Sequence, residues 1–411
     1  MSQFDLKKNS VAPDQIYFDL TVTNFKSTLK PPTPVYYNDQ RSMPFIMNPE
    51  DYYLSILRFT VETGTIPVFI PSIEPNQANK DLTIYNITLQ YTDPTLPNAP
   101  FTATLPIIWR PQDQSAGVPA APNATFNKLQ DNASGYYFAY HMTWFVLLIN
   151  ETLQLVYAAL DALVVAAALT LPSFFAPVCY YDTTSSTIVL YADVLGYKVD
   201  LDPLLPNNEI QMIWNAPLYG LFSSLPAVLL GYGSQLNWRI GFINFGSTNL
   251  QEIIVQPVPV LPIPPFFSAI VVYQEISTLA NITPVTAIVF TSNTLPIQAS
   301  QVSTPVFLNE GQQVSLGGNN SDIANILTDL ASDTGEYRPN LVYVPTSQYR
   351  LITLYGNRPL YNIDIEIFYR LKTGQLIPFR LASGQAATLK IGFLKKDKAD
   401  IQEVREKRGV Y

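Results

Sequence analysis

Apolar and polar residues alternate over long stretches of this chain. In Gln15–Thr23 the side chains of Ile16, Phe18, Leu20 and Val22 fall on every second position, the period of a strand with one buried face. Residues 51–61, 82–91 and 101–109 read the same way and are rich in β-branched and aromatic side chains, which suit a pleated surface. Turn chemistry separates them, as in Leu29-Lys-Pro-Pro-Thr-Pro34 and Leu96-Pro-Asn-Ala-Pro100. Toward the C-terminus, strands are predicted at 269–276, 285–291, 341–355, 361–370, 376–381 and 387–394. Ile363, Ile365, Ile367 and Tyr369 alternate there with Asp364, Glu366, Phe368 and Arg370. Short strands with turns at this pitch predict a mainly β fold of the sandwich or jelly-roll kind.

The middle of the chain breaks the pattern. Residues 111–134 read as an exposed loop, and one long helix is predicted from about 137 to 169, where Phe145, Leu148, Thr152, Leu155, Val156, Ala159, Leu163 and Ala166 recur at three- and four-residue spacings. A membrane span needs about 20 consecutive apolar residues. Asn150, Glu151, Gln154 and Asp161 interrupt the run, so a buried helix packed on a sheet is expected rather than membrane contact. Short strands resume at 186–191 and 238–244, with an aromatic loop at 216–226 between them. The segment Pro257-Val-Pro-Val-Leu-Pro-Ile-Pro-Pro265 is too dense in proline for a sheet interior and reads as a spacer. Residues 309–338 read as a surface loop with a short helix at 323–330.

Composition changes the picture in one respect. Only 14% of residues are charged, against about a quarter in ordinary domains, while the chain holds 25 tyrosines and 22 phenylalanines. Interface cores are depleted in charge and enriched in aromatics, so much of the exterior is expected to meet partner subunits. A net charge of −8 argues against nucleic-acid binding, which runs on Lys and Arg. The basic residues Lys395, Lys396, Lys398, Arg405, Lys407 and Arg408 cluster at the C-terminus but are interrupted by Asp397, Asp400, Glu403 and Glu406, as in a solvated tail.

Catalytic chemistry is hard to find. One histidine, His141, and one cysteine, Cys179, cannot build a Cys/His zinc site, and no charge near Cys179 in the sequence would activate its thiol. There is neither a P-loop nor a dinucleotide-binding glycine motif. Acidic pairs such as Asp364/Glu366 and Asp200/Asp202 leave a carboxylate hydrolase open, but a non-enzyme without cofactor or metal is the expectation. A single cysteine and an N-terminal segment without an apolar stretch predict a reducing compartment rather than secretion. The doublets Tyr36/Tyr37, Tyr52/Tyr53, Tyr136/Tyr137 and Tyr180/Tyr181 are more promising, because neighbours in a strand face opposite ways and one of each could reach a partner. Arg58, inside an apolar strand, calls for a counter-ion, with Asp51 or Glu62 in reach by sequence.

The segments Tyr37-Asn-Asp-Gln-Arg41, Asn48-Pro-Glu-Asp-Tyr-Tyr-Leu-Ser-Ile-Leu-Arg-Phe-Thr-Val61 and Ile66-Pro-Val-Phe-Ile-Pro71 resemble the first jelly-roll segment of penton and minor capsid proteins of polinton-like viruses and virophages, and more remotely the adenovirus penton base. Later stretches agree, among them Glu275-Ile-Ser-Thr-Leu279, Ile288–Pro296 and Tyr349-Arg-Leu-Ile-Thr-Leu-Tyr-Gly-Asn-Arg-Pro-Leu360. The resemblance covers roughly 15–110 and 265–395. It implies a jelly-roll β-sandwich built from both chain ends (15–110 and 251–395), an inserted upper domain (111–250) carrying the helix, an N-terminal arm (1–14) and a charged tail (396–411). It also implies a homopentamer at an icosahedral vertex, contacts to the major capsid protein, and a fibre or host receptor on top. The interface residues it suggests are Tyr36, Tyr37, Arg41, Tyr52, Tyr53, Arg350, Tyr355 and Arg358, with the six basic tail residues as further contacts. Three other readings stay open. They are a trimeric double jelly-roll major capsid protein, a glycan- or receptor-binding spike presenting Trp214, Tyr219, Phe222 and Trp238, and a β-sandwich hydrolase.

Overall fold

The first strand finds its partner at the far end of the sequence. In a computed structural model of the chain, Gln15–Thr23 runs antiparallel to Ala386–Lys395, which pairs in turn with Tyr52–Glu62. The structure describes residues 13–24, 33–62, 66–75, 77–112, 130, 132, 135–197, 209–231, 236–241, 250–255, 267–298, 300–302, 306–309, 312–315, 322–331, 340–344, 350–372, 374–381 and 384–398. Asn340–Tyr343 and Ile352–Thr353 extend this sheet beyond Tyr52–Glu62. A second sheet runs in the order Ile326–Ala331, Val285–Thr291, Asn362–Leu371, Leu376–Pro378, and Tyr36–Gln40 pairs with the start of Asn362–Leu371.

Side-chain phase explains why these sheets face each other. Along Tyr52–Glu62 the buried apolar residues are Tyr52, Leu54 and Ile56, then Phe59 and Val61, so the pattern changes parity. A β-bulge at Lys390/Ile391 absorbs the extra residue, leaving Leu57 unopposed, and both halves of the strand point inward. Phe59 then packs edge-on against Phe290 (5.1 Å between ring centres) and Phe379 (6.1 Å), with Tyr369 against Phe379 at 4.6 Å. A second triad, Phe18, Phe45 and Phe393, closes the neighbouring part of the core. Two facing antiparallel sheets of this kind make the jelly roll.

The chain divides into two compact units, Met1–Ile66 with Val285–Tyr411, and Pro67–Pro284. The insertion is therefore larger than the expected 111–250. Leu82–Tyr91 and Phe101–Ile108 belong to it because Leu82–Tyr91 pairs with Ile210–Asn215. Their sheet continues through Asn237–Ile240 to Ala227–Leu230, and a second sheet orders Leu250–Val255, Phe267–Tyr273, Thr187–Asp193 and Val178–Asp182. The helix Met142–Ala166 packs on Leu82–Tyr91, Phe101–Ile108 and Val178–Asp182. Phe145, Ile149, Leu153, Val156, Leu160 and Val164 lie on its buried face. By length and composition it could cross a membrane. Its polar interruptions nevertheless have local uses. The Asn150 amide exchanges hydrogen bonds with the backbone of Cys179 (2.7 and 2.8 Å), and Glu151 pairs with Arg110 at 2.7 Å.

Several local expectations are corrected. The helix begins at Met142 rather than 137, because Ala139 bridges to Phe69 in extended conformation and His141 is its extended N-cap residue. The region 216–226 is not all loop, since Pro217 at the first turn and the Asn215 cap start a helix at Ala216–Leu221. No helix forms at 323–330. Asp322–Ala324 and Ile326–Ala331 are strands, the latter held by the ladder to Val285–Thr291. The single strand expected at 341–355 is two, Asn340–Tyr343 and Ile352–Thr353. Arg58 faces outward, half exposed, and reaches Asp19 at 3.7 Å rather than Asp51 or Glu62. The spacer 257–265, the pair Asp200/Asp202 and most of 111–134 lie outside the described residues.

Phe59→Ala removes the ring on which both sheets meet and is expected to cost about 3–5 kcal/mol. Chemical denaturation checks this. A midpoint within error of the wild type would show that the sandwich does not depend on that contact.

Candidate assembly surfaces

The order of strands gives the sandwich two different lateral sides. On one, Gln15–Thr23 lies against Tyr36–Gln40. Strand alternation turns Tyr17 (53% exposed) and Tyr36 (49%) outward, while Tyr37 lines the apolar space between the sheets with Leu20, Val22, Val35 and Ile365. Burial there raises the pKa of the Tyr37 phenol. Arg41 closes this side, its guanidinium 4.8 Å from the centre of the Phe18 ring and 2.9 Å from Asp39.

The opposite side is built from Asn340–Tyr343, Ile352–Thr353 and the edge strand Ile326–Ala331. Arg350 spans it, donating from one nitrogen, Nη1, to the carbonyl of Asp329 (2.6 Å), to its carboxylate, and to Thr328 Oγ1 at 3.3 Å. Arg370 reaches the other carboxylate oxygen at 3.1 Å. Two guanidiniums thus share one carboxylate. Val342, Val344 and Leu351 are exposed on this side.

A third surface forms where the 41–50 and 354–361 segments run side by side. Ile46 bridges to Leu360, and the Glu50 amide donates to the Gly356 carbonyl. Phe45 packs inward with Phe18 and Phe393, and Ile46 is buried, leaving Met43, Met47, Tyr355 and Tyr361 exposed with Arg358. Met, Tyr and Arg are the residue types enriched at interface cores. The turn that presents Tyr355 is fixed electrostatically. Pro296 accepts the Tyr355 amide at 2.8 Å, and Pro296 follows a turn whose donors converge on the buried Asp364. Ser292 Oγ (2.6 Å) and the amides of Asn293 (3.0 Å) and Thr294 (2.9 Å) donate to that carboxylate. Burial works against its charge, but these hydrogen bonds outweigh the penalty and hold its pKa below the usual carboxylate value.

The residues singled out in the sequence therefore fall in four places. Tyr36, Tyr37 and Arg41 share one side, Arg350 the other, and Tyr355 and Arg358 the end. Tyr52 goes into the core at 2% exposure, its hydroxyl donating to the Pro13 carbonyl. Tyr53 is half-buried beneath Lys396 (5.3 Å), Lys395 bonds through its amide to Asp14, and Lys398 pairs with Asp14 at 3.9 Å. Arg405, Lys407 and Arg408 lie outside the described residues. Sequence reasoning missed Met43, Met47, Tyr361, Asp329 and Arg370. Met43-Pro-Phe-Ile-Met47 reads as uniformly apolar, and only the inward turn of Phe45 and Ile46 reveals which members face out.

The chemistry expected for a spike platform does not assemble. Trp214, Tyr219 and Phe222 are buried, and Trp238 stacks on Tyr219 at 4.2 Å. Cys179 is buried with its thiol pKa raised. Among the described residues no group of three His, Cys, Asp or Glu side chains could hold a metal.

A family model described as Sputnik minor capsid protein V18/19 matches residues 16–395. The chain belongs to this family. Its place is the virion, in a structural role of the vertex or minor-capsid kind. Two proteins of Sputnik virophage align with parts of it. "Uncharacterized protein V18" is 29% identical over 169 residues, 41% of this chain and 95% of that protein. "Structural protein V19" is 28% identical over 218 residues, 53% and 93% respectively. A chain in the 3.5 Å cryo-EM structure of the Sputnik virophage superposes with a TM-score of 0.69 at 23% identity, covering 94% of this chain and 99% of its own. The mavirus penton protein crystal structure gives 0.55 at 14% identity, covering 93% and 99%. Both share the fold.

Asp364→Asn is expected to cost about 1–3 kcal/mol at neutral pH by weakening the cap on the 292–295 turn. Because the folded pKa is depressed, the carboxylate contributes stability above its unfolded pKa of about 3.9 and loses it as pH falls through the lower folded value. Denaturation curves of variant and wild type should therefore converge on acidification. A constant gap down to strongly acid pH would refute the assignment.

Proposed function

We propose that this chain is a penton-type vertex subunit that assembles as a ring of five and meets the major capsid protein around it, with a geometric rather than catalytic role. The carrying observation is that the sandwich has two unlike lateral sides, tyrosine-bearing on one and built around Arg350 on the other. Rings need such head-to-tail interfaces, in which one patch meets a different patch on the next copy. The low charge content supports extensive burial by neighbours. The Met43/Met47/Tyr355/Tyr361 end, with Arg358, is the surface offered to the major capsid protein, and the basic tail is a further tie. A fibre or host receptor on the inserted unit completes the reading. The acidic net charge supports a role without specific nucleic-acid binding. A lone, buried cysteine supports synthesis in a reducing compartment, the host cytoplasm or nucleus.

The double jelly-roll alternative is less well supported. The inserted unit is a helix packed on strands of two sheets, not a second sandwich of the same plan.

Mass photometry of the purified chain in low and moderate salt is expected to show a species of five 45.9 kDa subunits. A trimer would favour the major capsid alternative. A monomer at all concentrations and salts would sink the ring.

A further inference from the structure

Two apolar surfaces of the inserted unit stand apart from the sides of the sandwich. The first runs along the C-terminal half of the helix Met142–Ala166, where Leu155, Leu163 and Val165 are exposed beside Ala158, Ala162 and Ala166. The Tyr157 hydroxyl ties this half of the helix to the next turn by donating to the Ser173 carbonyl at 2.7 Å. That turn presents Phe174, 68% exposed, and with it Leu195, 65% exposed. Both are rigidly held. Buried Asp193 accepts the Phe174 amide on one oxygen (2.9 Å) and the Leu195 amide on the other (3.0 Å). Ser173 packs so closely on Gly196 that a Cβ at 196 would stand 2.4 Å from the Ser173 Cβ. A buried carboxylate thus positions two apolar side chains in solvent. Apolar anchors fixed in advance lose little freedom when a partner covers them, as interface hot spots require.

The second surface is the edge strand Ala227–Leu230. It ends a sheet whose other end, Leu82–Tyr91 and Phe101–Ile108, carries the helix. Ala-Val-Leu-Leu is a continuous apolar run, the pattern of a strand buried on both faces. Val228 and Leu229 point to opposite faces, yet both are exposed. Leu236 at the tip of the hairpin and Ile276, which exchanges two hydrogen bonds with Ser224, are exposed as well. Open edges are ordinarily blunted by charged side chains. No charged residue occurs between Glu209 and Arg239.

We infer that in the ring the edge strand Ala227–Leu230 of one copy is covered by the Phe174/Leu195 surface of the next, so that the inserted unit makes a subunit contact of its own. The inference rests on the ring proposed above. Area selects the occupant. The first surface alone leaves on the order of 600 Å² open, the upper limit for a patch on a typical monomer. The two together expose on the order of 1,000 Å², about what a specific contact buries. A second copy supplies both surfaces at every junction, because they lie at different ends of one sheet and head-to-tail repetition joins two unlike patches. None of the exposed residues named on either surface is charged, so their contact strands no charge. A lipid surface fits less well. Helices that lie on bilayers carry Lys and Arg on their polar face, and residues 129–197 contain neither.

Mass photometry of full-length variants tests the contact. Phe174→Ser with Leu195→Ser, and separately Val228→Thr with Leu229→Thr, are each expected to raise the apparent dissociation constant of the ring about tenfold. Because both pairs belong to one contact, all four substitutions together are expected to do little more than either pair alone. Thermal melts of the subunits guard against misfolding. Should the serine variant fail to fold, Leu155→Gln with Leu163→Gln, which keeps helix propensity, takes its place. Unchanged rings in either variant overturn the contact. Losses that simply add show that the two surfaces meet different partners and overturn it too. Unchanged rings, with flotation on phosphatidylcholine vesicles that Phe174→Ser/Leu195→Ser abolishes, assign the first surface to lipid and also overturn it. A wild-type chain that never forms rings defeats the ring reading itself, and this contact with it.

Discussion

The fold rests on pairing the two ends of the chain. Nine residues of Gln15–Thr23 register against Ala386–Lys395, and that strand is the bridge to Tyr52–Glu62 and its aromatic core. Bringing together segments more than three hundred residues apart costs roughly 5 kcal/mol of chain entropy if the intervening chain is disordered. An insertion that has already folded acts as a short connection, because its own internal pairings have removed most of that freedom. The sandwich therefore closes more readily once Pro67–Pro284 is ordered, and long-range antiparallel topology of this kind folds slowly.

This dependence explains which parts of the structure could be read from the sequence. Leu82–Tyr91 and Val285–Thr291 were legible to the residue, the first from its alternation and the second from its β-branched, apolar run between turns, both of which are local signals. The unit boundary was not, because assigning Leu82–Tyr91 to the insertion depends on its pairing with Ile210–Asn215, which leaves no local mark. Ile326–Ala331 shows the same limit from the other direction. Its Leu, Asp and Ala content tolerates a helix, and the ladder to Val285–Thr291 overrides that propensity.

The surfaces were legible only as residue types. Tyrosine doublets mark strands with one face in and one face out, but not which face meets a partner. Tyr36 looks outward and Tyr37 inward, whereas Tyr136 and Tyr137 are both buried, their hydroxyls bonded to Asp81 and to the Lys80 carbonyl. The scarcity of charge has a structural counterpart too. Neutral amides do work that charged groups do elsewhere. Asn150 ties helix to strand, Asn215 caps a helix while bonding Ile84 and Asn86, and Gln274 holds Ile188 and Thr278.

Against that neutral background, the placement of the few exposed charges carries more information. In the ring proposed above, apolar contacts supply affinity, but a directional contact is needed to set the angle. Tyrosine and valine side chains tolerate sliding, since dispersion and area burial have little orientation dependence. A bidentate guanidinium–carboxylate pair does not, because its two parallel hydrogen bonds fix both distance and plane. Arg350 is already immobilised through Nη1, so a further hydrogen bond from it would cost less side-chain entropy. An arginine anchored at the edge of one sheet is therefore better suited to setting an angle than further apolar area.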